Sequence, residues 1–115
     1  MGLFNGLNRL QSIWLNRNNL SKLEAFTFQD LKSLMWLSLG YNQLKSIHSK
    51  AFAGSTQLKE LYLDNNKLNT IKMVDAFEPL KNLVTLCLNN NPIGRVFFLN
   101  KYLILKYFSV YLFNI

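Results

Sequence analysis

Leucines fall on a fixed frame along most of this chain, with polar and mixed residues between them. Leu10-Gln11-Ser12-Ile13-Trp14-Leu15-Asn16-Arg17-Asn18-Asn19-Leu20 recurs as Leu34 to Leu44, as Leu58 to Leu68 and as Leu83 to Ile93. The first leucines stand at 10, 34, 58 and 83, so the period is 24, 24 and then 25 residues. A sustained period of this length predicts a solenoid of stacked units, none of which buries its apolar face alone. Inside each unit the pattern alternates, as in Leu61-Tyr62-Leu63. Such alternation predicts a short, half-buried strand. Ile13-Trp14-Leu15, Leu37-Ser38-Leu39 and Leu86-Cys87-Leu88 are its equivalents. Side by side they would form a parallel sheet with strands about 4.8 Å apart. The leucines would face inward and the residues between them outward. The expected fold class is an α/β repeat solenoid, with irregular, 3-10 or short helical segments opposite the sheet.

Two further residue types keep the same frame. Asn18, Asn42, Asn66 and Asn91 hold one position in every unit. A turn buried between units strands backbone N–H and C=O groups. An Asn amide, with two donors and an acceptor, can satisfy them. The four residues are therefore expected to form a structural ladder. Phe4, Phe28, Phe52 and Phe77 recur on the far side and predict an aromatic stack. Ser55 stands where the frame calls for a leucine after Phe52, which predicts a weaker layer. The extra residue of the third unit falls between Ile71 and Phe77, where an outer loop absorbs insertions.

These residues closely resemble the leucine-rich repeat family in its 24-residue form, over about residues 4–96. Toll-like receptor ectodomains and secreted or matrix repeat proteins share that form. The resemblance implies a curved horseshoe with the sheet on its concave face. It also implies binding on that face or its edges, and an extracellular or cell-surface setting. The cysteine-rich caps and the secretory signal usual in such proteins have no counterpart here, which points to a fragment or to the product of an incomplete gene model.

The expected division is the end of a preceding repeat over 1–9, repeats over 10–33, 34–57, 58–82 and a partial 83–96, then a tail over 97–115. The tail breaks the frame, with Lys101 where a Phe belongs. It reads in three ways. Its length suits a membrane span, although Lys101 and Lys106 would each cost about 2.5–3.5 kcal/mol at mid-bilayer. It could cap the open end of the last repeat. It could also be read-through sequence, since 13 of its 19 residues are Phe, Ile, Tyr, Asn or Lys, all written by A/T-rich codons.

Charge and candidate chemistry narrow the function. The chain of 115 residues carries a net charge of +7, but its cations are scattered rather than clustered. Scattered cations suit a solvated surface better than a nucleic-acid patch. One cysteine, Cys87, and one histidine, His48, allow neither a disulfide, a zinc site nor a Cys-His or Ser-His-Asp set. The five glycines make no phosphate-cradling loop. No enzyme activity, cofactor or metal is expected. Asn19-Leu20-Ser21 fits a glycosylation sequon.

The outward slots place Trp14, Trp36 and Tyr62 diagonally on adjacent strands, with Tyr41 at the edge. An exposed aromatic patch marks an interaction surface, and Trp and Tyr anchor binding hot spots. Trp14, Trp36, Tyr41, Tyr62, Glu60, Asp64 and Arg17 are the expected partner-binding residues. The leading reading is a protein-recognition module of a receptor or secreted protein, with a protein ligand or co-receptor as partner. A matrix protein, an intracellular scaffold and a truncated product without its own function are the alternatives.

Overall fold

A computed structural model describes residue 4, residues 6–69 and residues 75–92. The tail and the third-unit insertion around Ile71 lie outside the described residues. Four short strands, β1 (Ser12–Trp14), β3 (Trp36–Ser38), β5 (Glu60–Tyr62) and β6 (Thr85–Cys87), form one sheet in the order β1-β3-β5-β6. Every neighbouring pair is parallel. The register sets Ile13 beside Leu37, Leu37 beside Leu61, and Leu61 beside Leu86. The sheet lines one side of the solenoid, the side expected to be concave.

The ladder runs on past the strands. Leu15, Leu39 and Leu63 N–H groups donate to the carbonyls of Ser38, Tyr62 and Cys87 at 2.8, 2.8 and 2.9 Å. Arg17, Tyr41 and Asn65 N–H groups then donate to Gly40, Asp64 and Asn89 at 2.9, 3.0 and 2.9 Å. Each of those three residues, and Asn90, adopts a left-handed backbone with φ between 56° and 60°. That conformation turns the chain out of the sheet in every unit. Asn tolerates it; Arg17 and Tyr41 hold it at a cost of about 1–2 kcal/mol each.

A second, two-stranded parallel sheet joins β2 (Lys22–Leu23) to β4 (Ser46–Ile47) beyond the turn. The rest of the outer side is turns, with a 3-10 segment at 75–77. Between the sheet and the outer side lies a leucine core, with Leu37, Leu61 and Leu86 fully buried. The phenylalanines stack through it. Ring centroids are 5.7 Å apart for Phe4–Phe28, 5.9 Å for Phe28–Phe52 and 6.3 Å for Phe52–Phe77. Ser55 fills its leucine slot fully buried, and its hydroxyl donates to the Phe28 carbonyl at 3.2 Å. The polar atom is thereby satisfied, which the frame alone does not show.

The Asn side chains bridge successive turns. Asn66 Oδ1 accepts from the Leu44 N–H at 3.0 Å. Its Nδ2 donates to the carbonyls of Leu39, Leu63 and Asp64 at 3.0, 3.1 and 3.1 Å. Asn42 and Asn91 repeat the pattern, accepting from Leu20 and Leu68 N–H groups at 3.2 and 3.0 Å. Asn18, in the first unit, is exposed; its Nδ2 donates within its own turn, to the Leu15 and Asn16 carbonyls, and its N–H donates to Asn42 Oδ1 at 3.1 Å.

Candidate functional site: the concave face

Residues 12–17, 36–41, 60–65 and 85–90 make up the open face of the main sheet. Because alternate strand residues are spent on the core, only the others face outward. In β1, β3 and β5 these include Trp14, Trp36 and Tyr62. The register puts Trp36 level with Glu60, and Ser38 level with both Trp14 and Tyr62. The rings nevertheless touch across the strands, Trp14 to Trp36 at 6.0 Å and Trp36 to Tyr62 at 4.9 Å between centroids. Both pairs are tilted, with ring planes 38° and 37° apart. Trp14 is the outermost, 64% exposed.

Trp36 occupies the centre of this run, and its indole nitrogen is buried without a hydrogen-bond partner among the described residues. A buried, unpaired N–H costs about 1–3 kcal/mol. Folding therefore gains nothing from the nitrogen of this tryptophan. At the lower rim the Arg17 guanidinium lies 4.2 Å over the Tyr41 ring. Tyr41 is 47% exposed, and cation and ring hold each other at the two strained turn positions.

Glu60 and Asp64 are tied in by neutral donors. The Tyr62 hydroxyl donates to Glu60 Oε1 at 2.6 Å, and Asn65 Nδ2 donates to Asp64 Oδ2 at 2.9 Å. Asp64 leans over the neighbouring unit. A Cβ added at Gly40 would meet its Oδ1 at 2.7 Å, so the missing side chain makes room for the carboxylate. Partial burial, then the bond to Glu60 and its charge, with smaller effects of Cys87 and Asp64, push the Tyr62 hydroxyl up to about 12. The folded state thus favours protonated Tyr62. Its contribution to stability is present below pH 10 and lost as pH rises through about 12. A spectrophotometric titration is expected to show a tyrosine ionising near pH 12, and Glu60→Gln should move it toward 10. A lower-pH transition unmoved by Glu60→Gln would contradict the bond.

Burial, reinforced by Asp64 and opposed by a backbone hydrogen bond at Asn89, raises the Cys87 thiol above its ordinary value. A raised thiol is a poor nucleophile. His48 lies exposed, its Nδ1 accepting from the Lys50 N–H at 3.0 Å. Among the described residues no three His, Cys, Asp or Glu side chains gather as a metal site. Among them, too, no helix is long and apolar enough to cross a membrane. Asn19 is exposed just past the ladder turn.

Sequence reasoning placed the seven face residues on one surface. It missed three features: the Glu60–Tyr62 bond, the Asp64 carboxylate over Gly40, and the Arg17–Tyr41 pair. Only the last had a signal, since Arg17 and Tyr41 occupy the slot that Asn65 and Asn90 fill elsewhere.

The comparisons with known proteins agree with this architecture. A family profile described as "Leucine rich repeat" matches residues 8–68, and a second of the same description matches 57–80. The chain belongs to the leucine-rich repeat family. Keratocan of Gallus gallus is 36% identical over 95 residues, which cover 81% of this chain and 26% of that protein. The chain thus spans about a quarter of the first curated relatives it matches. Among solved structures, the TLR13–ssRNA13 complex superposes with a TM-score of 0.71 at 35% identity, over 74% of this chain and 12% of that one. The Toll–Spatzle complex of Drosophila superposes with a TM-score of 0.73 at 29% identity, over 79% of this chain and 14% of that one.

Proposed function

We propose that this chain is a recognition segment of a cell-surface receptor or secreted protein, and that it binds a protein partner through its concave face. The observation that carries this reading is Trp36. It sits in an aromatic run across three adjacent strands, with a buried N–H that no group among the described residues satisfies. Exposed Trp and Tyr offer large contact area with few rotors, the chemistry of binding hot spots. Trp14, Trp36 and Tyr62 are the anchors; Tyr41 and Arg17 form one rim, and Glu60 and Asp64 supply charge. Binding is by surface complementarity on a rigid scaffold, with no chemical step. The repeats over 10–96 are the binding unit. Kinship with keratocan and likeness to Toll support an extracellular or cell-surface setting. In that setting Asn19 is the residue we assign to glycosylation.

The test uses surrogate ligands, dodecapeptides selected on phage against the whole chain. Trp36→Phe removes the unpaired N–H and keeps a ring. It is expected to leave the melting temperature unchanged or higher, and to weaken the selected peptides by about tenfold. Phe26→Ala, at an exposed ring on the outer turns, should leave them unaffected. Peptides insensitive to Trp36→Phe but lost with Phe26→Ala would move the binding site off the concave face.

A further inference from the structure

The charge on the concave face runs against the charge of the chain. The whole sequence holds 13 Lys and Arg against 6 Asp and Glu. Within residues 12–17, 36–41, 60–65 and 85–90, however, the charged side chains are Glu60, Asp64 and Arg17 alone. Arg17 is already engaged on the Tyr41 ring at 4.2 Å. Among the described residues the one ion pair is Lys22–Glu24, which lies off this face. Among the described residues, neither Glu60 nor Asp64 has a cationic partner. Each receives one neutral donor, from Tyr62 and from Asn65, and each has lone pairs to spare. Between them along β5 stands Tyr62, whose ring meets Trp36 at 4.9 Å.

Carboxylates beside an aromatic pair suit planar cations. Ring faces attract cations, and a guanidinium both stacks on rings and pairs with carboxylates through two parallel N–H bonds. Resting on the concave-face reading, we infer that the partner presents arginine side chains that stack on Trp36 and Tyr62, one pairing with Glu60 and another with Asp64, which lie about 13 Å apart along the extended strand. Glycine at position 40 belongs to the same arrangement, because any side chain there would displace the Asp64 carboxylate.

Both tryptophans of the chain, Trp14 and Trp36, lie on this face, so intrinsic fluorescence reads its occupation directly. The whole chain would be titrated with hexa-arginine amide, hexalysine amide, hexaglutamate and a hexauridylate RNA. Hexa-arginine is expected to give a saturable change, hexalysine a weaker one and hexaglutamate none. Glu60→Gln/Asp64→Asn should lower hexa-arginine affinity by about tenfold or more. Glu24→Gln/Glu78→Gln, which removes the same charge off the face, should leave it unchanged. Circular dichroism checks that the variants fold, and the two single substitutions replace the double one if it does not. Equal loss with the face and off-face variants would overturn the inference, as would saturation by hexauridylate in place of hexa-arginine. If the phage-selected peptides are lost with Trp36→Phe but kept with Glu60→Gln/Asp64→Asn, the concave-face reading stands and the arginine falls. If neither variant affects them, both fall.

Discussion

Phe52→Ala is expected to destabilise the chain by about 3–5 kcal/mol, the range for truncating a fully buried aromatic ring. Phe52 is 0% exposed and lies between Phe28 and Phe77, at 5.9 and 6.3 Å. Its loss therefore opens two stacked contacts as well as a cavity. The stack joins successive units, and in a solenoid each unit is held mainly by its neighbours. The damage should accordingly spread beyond one layer. Thermal and denaturant melts followed by circular dichroism would measure it. Phe4→Ala, at the partly buried end of the stack, should cost much less. Equal losses at both positions would mean that the rings do not act as a spine.

Asn66→Leu is expected to cost about 2–3 kcal/mol, although it adds apolar volume to a buried site. The cost comes from particular atoms. The Leu44 N–H, whose acceptor is Asn66 Oδ1, is orphaned outright, and the Asp64 carbonyl loses a donor. The Leu39 and Leu63 carbonyls suffer less, because Asn42 and Asn91 also donate to them, each at 2.9 Å. The same reasoning makes Asn18→Leu mild, under about 1 kcal/mol, since that residue is exposed and its Leu15 carbonyl also receives Asn42 at 3.0 Å. An Asn66 variant that melts like the parent would remove the ladder from the energetics of the fold.

Much of the scaffold was legible because its signals repeat. Leu37, Leu61 and Leu86 share one slot, and a slot filled alike in several units leaves little choice of strand, face or register. The same holds for Asn42, Asn66 and Asn91, and for the phenylalanines. What stayed hidden happens once or depends on contact between units. Nothing in Lys22-Leu23 and Ser46-Ile47 marks a second sheet; two-residue strands carry no periodicity. Ser55 reads as a defect until its hydroxyl is seen against the Phe28 carbonyl. On the candidate site, the outward slots were legible but their chemistry was not. That Tyr62 holds Glu60, or that Trp36 buries an unpaired N–H, follows from rotamers and neighbours that no spacing encodes. The left-handed turns at Arg17 and Tyr41 were readable only by analogy with Asn65 and Asn90 in the same slot.

The most direct test of the concave-face claim compares two photo-crosslinkable forms of the whole chain. One carries p-benzoylphenylalanine in place of Trp14, the other in place of Phe26; the native rings are 64% and 45% exposed on different sides of the solenoid. Both would be irradiated in extracellular fluid, with and without an excess of the unmodified chain as competitor. The expected result is a discrete adduct at position 14 that the competitor abolishes and Trp36→Phe weakens, with none at position 26. A competed adduct at position 26 and none at position 14 would contradict it, and would place recognition on the outer turns instead.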